Sequence, residues 1–400
     1  MEVLCLMGLY PKEYEKMIVE NTISGMQTAA NKFQWGIVNG ITEEVNLKII
    51  NSLYIGSYPK RYKSLKIPSF LFQHKPEAND INVGFTNLSG YKFISKYVGI
   101  KREVTKWINS LDERKGVIIA YAMTTPFVEI LNYVKKKYPN IKCCLVVPDL
   151  PEYMNVSRYE NRFYRILKDA QCKHFRSQLK LIDGFIFLTD AMKEWFDWDV
   201  KYIVIEGISL LTKQSLNESN VHKKKKILYA GMIEAKYGVV DLVNSFNKIS
   251  SSEWELHLYG TGSSLRDIEK VARNNNKIVI HGIVSNDIVL EAQKESEILI
   301  NPRNDNNEFT KYSFPSKVIE YLGSGTPMIG YILPGMPKEY YDKFYVIPKK
   351  EYGMEECIRM VMNLSSQERK KMGQLAKEFI IKEKNVESQG KKILNFLKNL

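Results

Sequence analysis

The sequence predicts an α/β protein built from two parallel-sheet domains, and three observations carry that expectation. Strand-length runs of Val, Ile and Leu recur without polar alternation, the mark of strands covered on both faces. Helical patterns separate these runs, as βαβ units require. The chain also has 400 residues, more than one hydrophobic core usually organises. The expected architecture is therefore two Rossmann-like domains facing each other across a cleft, with ligands at the carboxyl ends of the strands.

Six runs define the first domain, at residues 2–7, 47–55, 117–122, 142–147, 184–188 and 202–205. Between the first two, Ser24 and Gly25 precede a helix with Ala29, Ala30, Phe33 and Ile37 on its inner side. A glycine at such a junction lets a ligand approach the backbone closely, and a plain helix cap reads the same way. The loop at 121–126, with Thr124, and the loop at 148–153, with Asp149, follow strands and are expected to contact an acceptor.

Composition shifts at 209–226, where Ser, Asn and Lys replace core-forming residues. The expected division is a first domain at 1–210, a linker at 211–226, a second domain at 227–380, and a C-terminal helix at 381–400 that packs back on the first. Strands are expected at 227–230, 255–259, 277–280 and 298–300, and from 328.

With 44% hydrophobic and 26% charged residues the chain is ordinary globular protein. Its net charge of +13 favours anionic partners without choosing among phosphates, acidic lipid and nucleic acid. Basic clusters stand at Lys60, Arg61, Lys63 and Lys66, and at Lys135–Lys137 with Lys142. A third runs from Arg158 to Lys180, interleaved with Tyr159, Phe163, Tyr164 and Phe175, and could rest on an anionic membrane or be a solvated helix face. The five cysteines lack metal spacing and suit buried positions in a reducing compartment. Residues 2–7 read as a first strand, not a secretion signal, and no apolar run is long enough to span a bilayer.

The second domain holds the chemistry. In YAGMIEAKYG, Gly231 ends a strand and Lys236 is placed to reach a diphosphate as a point charge. Tyr259-Gly260-Thr261-Gly262 begins like a dinucleotide fingerprint, but Leu265 stands where the third glycine belongs, so a tight turn is expected. Gly282 and Ile283 follow a strand where backbone groups can read a nucleobase edge. Arg303 ends the next strand and is expected to share phosphates with Lys317. Asp197-Trp198-Asp199 has the spacing of a metal-binding pair but sits as a turn, and no metal site is expected.

The stretch YSFPSKVIEYLGSGTPMIG at 312–330 is expected to form a short helix. Ser313 or Phe314 would cap it, Pro315 would occupy its first turn, and Gly323, Gly325 and Pro327 would end it. Val318, Ile319 and Leu322 face a core; Ser313, Ser316, Lys317 and Glu320 form a polar stripe. A helix N-terminus offers free N–H groups and partial positive charge to a phosphate, and Glu320 can accept from sugar hydroxyls.

YAGMIEAKYG, HLYGTG, HG and YSFPSKVIEYLGSGTP in this order resemble the GT-B glycosyltransferases of family four, and VVPDLPEYM with YSFPSK resembles a branch found in bacterial capsule and surface-polysaccharide synthesis. The resemblance implies a retaining, metal-independent transferase with a nucleoside diphosphate sugar, UDP-linked, as donor substrate and no further cofactor. It implies that Glu320 holds the ribose and that Lys236 and Glu320 are the catalytic-site pair, with Gly231, Gly282, Ile283, Arg303, Ser313, Phe314, Pro315, Ser316 and Lys317 binding the donor. Ser24, Gly25, Thr124 and Asp149 would lie on the acceptor side. Three positions depart from the family pattern: Tyr312 replaces its first glutamate, Met232 its arginine, and Pro148 an N-terminal-domain histidine.

The implied acceptor is a saccharide, polyprenyl-diphosphate-linked, met at the cytoplasmic face of the cell membrane by a cytoplasmic protein in peripheral contact. No nucleic-acid partner is implied. Two other readings fit the same residues: a nucleotide-sugar epimerase or phosphorylase, and a non-catalytic basic protein binding membrane or nucleic acid.

Overall fold

The computed structural model describes residues 1–153, 162–212, 224–249 and 253–400. Most of the expected linker, residues 213–223 of 211–226, and the start of the third basic stretch, Arg158 and Tyr159, lie outside the described residues, as do the side chains of Arg162, Phe163, Tyr164, Arg165 and Lys168. The chain divides into two compact units, Met1–Ile208 with Val386–Leu400, and Ser209–Asn385.

In the first unit the strands are β1 (Glu2–Met7), β2 (Asn46–Asn51), β3 (Lys66–Ile67), β4 (Phe70–Phe72), β5 (Asp80–Asn82), β6 (Phe85–Thr86), β7 (Val117–Tyr121), β8 (Lys142–Val147), β9 (Gly184–Phe187) and β10 (Tyr202–Val204). Eight of them form one sheet in the order β10-β9-β8-β7-β1-β2-β5-β4, parallel except where β4 meets β5. β3 and β6 pair apart from it. β1 lies centrally because its Val3–Met7 segment is buried on both faces, as its unbroken apolar run requires. The chain leaves β1 toward β2 on one side and returns to β7 on the other, so the sheet's switch point lies between β1 and β7.

Helices α1 (Glu15–Asn21), α2 (Thr28–Ile41), α3 (Tyr91–Asn109), α4 (Thr125–Lys137) and α5 (Arg162–Leu179) belong to this unit. Ser24 and Gly25 precede a helix as expected, but neither caps it: the N-cap of α2 is Gln27, and both residues stand exposed in the preceding loop, with Gly25 at φ +81°.

The second unit holds β11 (Lys224–Ala230), β12 (Glu255–Tyr259), β13 (Ile278–Gly282), β14 (Ser296–Asn301), β15 (Met328–Gly330) and β16 (Tyr345–Val346). They form one parallel sheet in the order β13-β12-β11-β14-β15-β16. Its helices are α6 (Val239–Asn247), α7 (Leu265–Arg273), α8 (Asn286–Glu295), α9 (Ser316–Ser324), α10 (Gly353–Asn363) and α11 (Ser366–Glu383). Here the chain winds outward through β12 and β13, then returns beside β11 as β14. The switch point therefore lies between β11 and β14.

The second domain does not end at 380, which falls inside α11. The chain passes out of the second unit after Asn385, where Ser209 N–H donates to the Lys384 carbonyl at 2.7 Å, and enters α12 (Val386–Lys398). Ile393, Leu394 and Leu397 of α12 are buried in the first unit's core. Gly390 meets Gly40 of α2 so closely that a Cβ there would stand 1.9 Å from the Gly40 carbonyl oxygen. All five cysteines are buried and none forms a disulfide. Among the described residues no helix is long and apolar enough to cross a membrane.

Candidate active site

At the switch point of the second sheet, the loops after β11 and β14 diverge and carry most of the expected donor residues. The β11 loop is built on close backbone contacts. A Cβ at Gly260 would stand 1.9 Å from the Gly231 carbonyl oxygen, and one at Gly262 would stand 2.2 Å from that of Ile233. The Ser264 hydroxyl accepts from the Ala235 N–H at 3.0 Å. The glycine pair after β12 thus supports the neighbouring loop by packing, the tight turn its sequence suggested.

Lys236 projects from this loop, its ammonium 2.8 Å from Glu234 Oε2. Partial burial disfavours its charge, but Glu234 and Tyr237 together, through hydrogen bonds and charge, outweigh that and hold its pKa above the usual lysine value. Gly238, at φ +76°, closes the loop onto Pro302, where a Cβ would stand 2.1 Å from the carbonyl oxygen. This contact joins the β11 loop to the β14 loop. The Tyr237 ring lies between their cations, 5.1 Å from the Lys236 ammonium and 5.8 Å from the Arg303 guanidinium carbon.

Arg303 is more constrained than the sequence suggested. Its guanidinium donates to the Ser313 hydroxyl and stacks 4.6 Å from the centre of the Phe309 ring. The Ser313 hydroxyl in turn donates to the Phe309 carbonyl at 3.0 Å. Ser313 therefore holds the arginine in place and does not cap α9, and neither does Phe314, whose ring is buried 5.2 Å from that of Tyr340. Pro315 occupies the N-cap position, so the helix starts at Ser316, one residue later than its placement in the first turn implied. The N–H groups of Ser316 and Lys317 find no acceptor among the described residues, as expected of a first turn open to an anion.

One turn on, Glu320 Oε1 receives the Lys317 ammonium at 2.6 Å and the Gln293 side-chain amide at 2.8 Å. Val318, Ile319, Tyr321 and Leu322 are buried below. The Tyr321 hydroxyl accepts from the Ala230 N–H at 2.8 Å, tying α9 to the end of β11. The helix ends at Gly325, which adopts φ +78°.

Gly282 follows on the other side. Its carbonyl accepts from the Gly260 N–H at 2.8 Å, its φ is +70°, and no atom would meet a Cβ there. Ile283 is 79% exposed. His281 beside them stacks on Tyr259 at 4.1 Å and shares a hydrogen bond of 2.8 Å with His257.

Residues 224–363 match the family model described as Glycosyl transferases group 1. The match lies wholly within the second unit, and the domain makes the chain an enzyme, a glycosyltransferase. No curated protein matches in a sequence search. Solved structures extend the likeness of fold to the whole chain. Sucrose-phosphate synthase from Thermosynechococcus elongatus is 12% identical with TM-score 0.66, covering 100% of this chain and 99% of its own. The lipopolysaccharide outer core galactosyltransferase WaaB is 13% identical with TM-score 0.62, covering 100% and 99%. HepE from Anabaena, solved in complex with UDP, is 11% identical with TM-score 0.62 and full coverage of both chains. These are GT-B folds of two Rossmann-like domains, and the chain shares that fold.

The structure thus gathers Gly231, Lys236, Arg303, Ser313, Ser316, Lys317 and Glu320 about one switch point, with Gly282 joined through Gly260. Glu234, Tyr237, Gln293 and Tyr321 complete the arrangement and were missed. Glu234 stands inside the same motif as Lys236, and Tyr321 extends the apolar spacing of α9, so both were within reach. Gln293 lies on another helix, and nothing local marks it.

On the first unit, Thr124 is the N-cap residue of α4, with no side-chain cap bond. Asp149 follows β8 and lies close enough to the buried Tyr121 to help hold its phenol neutral, after burial itself and the nearby Tyr54. The basic stretch ending at Lys180 is partly internal. Phe175 is buried, and Arg176 stacks 4.6 Å from the Trp195 ring and pairs with Glu152 at 3.7 Å. Lys135 and Lys142 share Asp183, at 2.9 and 3.5 Å. Asp197 and Asp199 flank a bend, and among the described residues no group of His, Cys, Asp and Glu could hold a metal.

Proposed function

We propose that the protein is a retaining, metal-independent glycosyltransferase that moves a hexose from a UDP-linked donor to a lipid-linked saccharide in surface-polysaccharide synthesis. The arrangement of Lys236, Arg303 and the open first turn of α9 around one switch point carries this reading. Breaking the glycosyl–phosphate bond leaves negative charge on the departing diphosphate. Two cations and a helix N-terminus stabilise that charge where it develops. Glu320, fixed by Lys317 and Gln293, accepts from the ribose hydroxyls. Gly282 and Ile283 offer open backbone to the base. The departing phosphate takes the proton of the acceptor hydroxyl, so no separate side-chain base is required.

UDP in the HepE complex supports the choice of nucleotide. The solved TarM complex from S. aureus with UDP and α-GlcNAc-glycerol, and the lipopolysaccharide galactosyltransferase WaaB, support a surface-glycan role. Thr124 and Asp149 would meet the acceptor at the first unit's strand ends, and the net charge of +13 favours work at the inner face of an anionic membrane. The test is thermal stabilisation of the purified chain by a panel of nucleotide sugars, followed by product analysis with and without a saccharide acceptor. Stabilisation by a UDP-sugar and transfer that requires an acceptor support the reading. An altered sugar formed from donor alone would replace it with an epimerase.

A further inference from the structure

The carboxyl end of β2, in the first unit, gathers positive charge that no carboxylate among the described residues neutralises. Lys96, on the inner side of α3, is buried; its ammonium donates to the carbonyl oxygens of Leu53 at 2.8 Å and Ser52 at 3.3 Å. It also stands 4.2 Å from the centre of the Phe85 ring. One turn earlier, half-buried Lys92 points its ammonium at the Ile55 carbonyl, 3.4 Å away. Arg61 packs over Gly56, where a Cβ would come within 2.2 Å of its own. The Arg61 carbonyl accepts from the Ile23 and Ser24 N–H groups at 2.9 and 3.5 Å, which brings the exposed turn at Gly25 alongside.

These cations feel one another. Burial lowers the Lys92 pKa and the charge of Arg61 lowers it further; burial and then Lys92 lower that of Lys96 to about 7. A protein that buries an ammonium ordinarily sets a carboxylate against it. Here carbonyl oxygens and aromatic faces stand in that place. The Ser52 hydroxyl, buried among them, has no hydrogen-bond partner among the described residues, and a hydroxyl can donate to a phosphate oxygen.

The cluster adjoins the switch point of the first sheet through Tyr54. Its ring lies 5.8 Å from the Lys96 ammonium and fills the space over Gly8, at the end of β1. Its hydroxyl donates to the Tyr121 carbonyl at 2.7 Å and accepts from the Ala122 N–H at 2.8 Å, at the end of β7. Ligands of parallel sheets bind at this position.

We infer that Arg61, Lys92 and Lys96, with the Ser52 hydroxyl, form a binding site for a phosphate or diphosphate group on the acceptor, so that the acceptor is an anionic, phosphate-bearing molecule. The assignment to the acceptor rests on the transferase reading above; the anion site does not. Leu88, Tyr91 and Ile94 are exposed on the approach to Lys92 and in the first turn of α3, an apolar surface beside the proposed phosphate. A prenyl diphosphate would use both features, and a sugar phosphate only the cations.

The test is calorimetric titration of the full chain with inorganic pyrophosphate and with geranyl diphosphate. Three proteins are compared: the wild type, Arg61→Ala/Lys92→Ala, and Lys236→Ala/Arg303→Ala. A pyrophosphate site that survives the second-unit changes and weakens about tenfold or more in the Arg61→Ala/Lys92→Ala protein supports the inference. Unchanged pyrophosphate binding in that protein, or none outside the second unit in the wild type, overturns it. Tighter binding of geranyl diphosphate, lost in the same variant, assigns a lipid-linked acceptor; equal affinity for both probes assigns a phosphate on a water-soluble one. UDP titrated into the same proteins separates the two readings. If UDP does not bind the wild type, the donor assignment falls while the first-unit anion site is still judged by pyrophosphate.

Discussion

The side-chain amide of Gln293 donates to Oε1 of Glu320 at 2.8 Å, from a helix distant in sequence, and Lys317 reaches the same oxygen at 2.6 Å. The carboxylate is held by two donors before any nucleotide arrives, which fixes its direction at no cost to binding. Glu320→Ala is expected to weaken nucleoside diphosphate binding roughly tenfold to a hundredfold, the range for losing hydrogen bonds to a charged group. Gln293→Ala, which leaves Lys317 in place, is expected to lose less. Calorimetry with UDP on both variants checks the ranking, and equal affinities for Glu320→Ala and wild type would remove Glu320 from the site.

Arg303 and Lys236 flank the Tyr237 ring but are held differently, one stacked on Phe309 and the other paired with Glu234. Each change to alanine is expected to weaken UDP binding about tenfold. Arg303→Lys is expected to behave like the alanine variant, because an ammonium can neither stack on Phe309 as a planar group nor reproduce its fork. UDP affinity of the four proteins tests this. An Arg303→Lys protein of wild-type affinity would mean that charge alone matters there.

The loops that carry these cations depend on two glycines. Gly238→Ala and Gly260→Ala each place a Cβ about 2 Å from a carbonyl oxygen at a positive φ. Each is expected to destabilise the fold by about 3 kcal/mol, read from urea melts. Unchanged midpoints would show that the loops yield at little cost.

The histidine pair on β12 and β13 gives a pH dependence. His257 Nε2 lies 2.9 Å from Glu255, and its Nδ1 lies 2.8 Å from His281 Nε2. With His257 donating to Glu255, its other nitrogen accepts from His281, an arrangement that needs the His257 ring neutral. Burial lowers both pKa values below 6.5, with the Glu255 bond opposing this at His257 and the His257 charge adding to it at His281. Between the lowered values and 6.5 the unfolded chain binds more protons than the folded one, so stability rises with pH through that window. The contribution is complete above 6.5 and is lost as pH falls below it. Melting temperatures from pH 8 to 5 should fall at the acid end, and less steeply in His281→Gln. An identical slope in the variant would assign the effect elsewhere.

The central strands were legible because their apolar runs need no partner to be read. Residues 2–7, 142–147, 255–259 and the start at 328 were located to the residue as β1, β8, β12 and β15. The run at 47–55 was read too long, since β2 ends at Asn51 and Ser52–Ile55 turn over Lys96. The short strands β3 to β6 escaped notice. In β5 the buried positions are Asp80 and Asn82, polar residues satisfied by groups outside the strand such as His74, the Ile49 N–H and Asn51. The site followed the same rule. Lys236 and Glu320 stand in local motifs, whereas Gln293 and the packing of Gly238 on Pro302 exist only once the sheet is assembled. The mistaken cap at Ser313 shares this cause, because its hydroxyl is claimed by Arg303, ten positions earlier in the chain.

The most direct measurement is acceptor-dependent release of UDP from a UDP-sugar by the purified chain, with the anomeric configuration of the product read by NMR. The account predicts turnover that retains the donor's configuration, is unchanged by chelator, and is lost with Lys236→Ala. No turnover with any nucleotide sugar, turnover abolished by chelator, or an inverted product would contradict it.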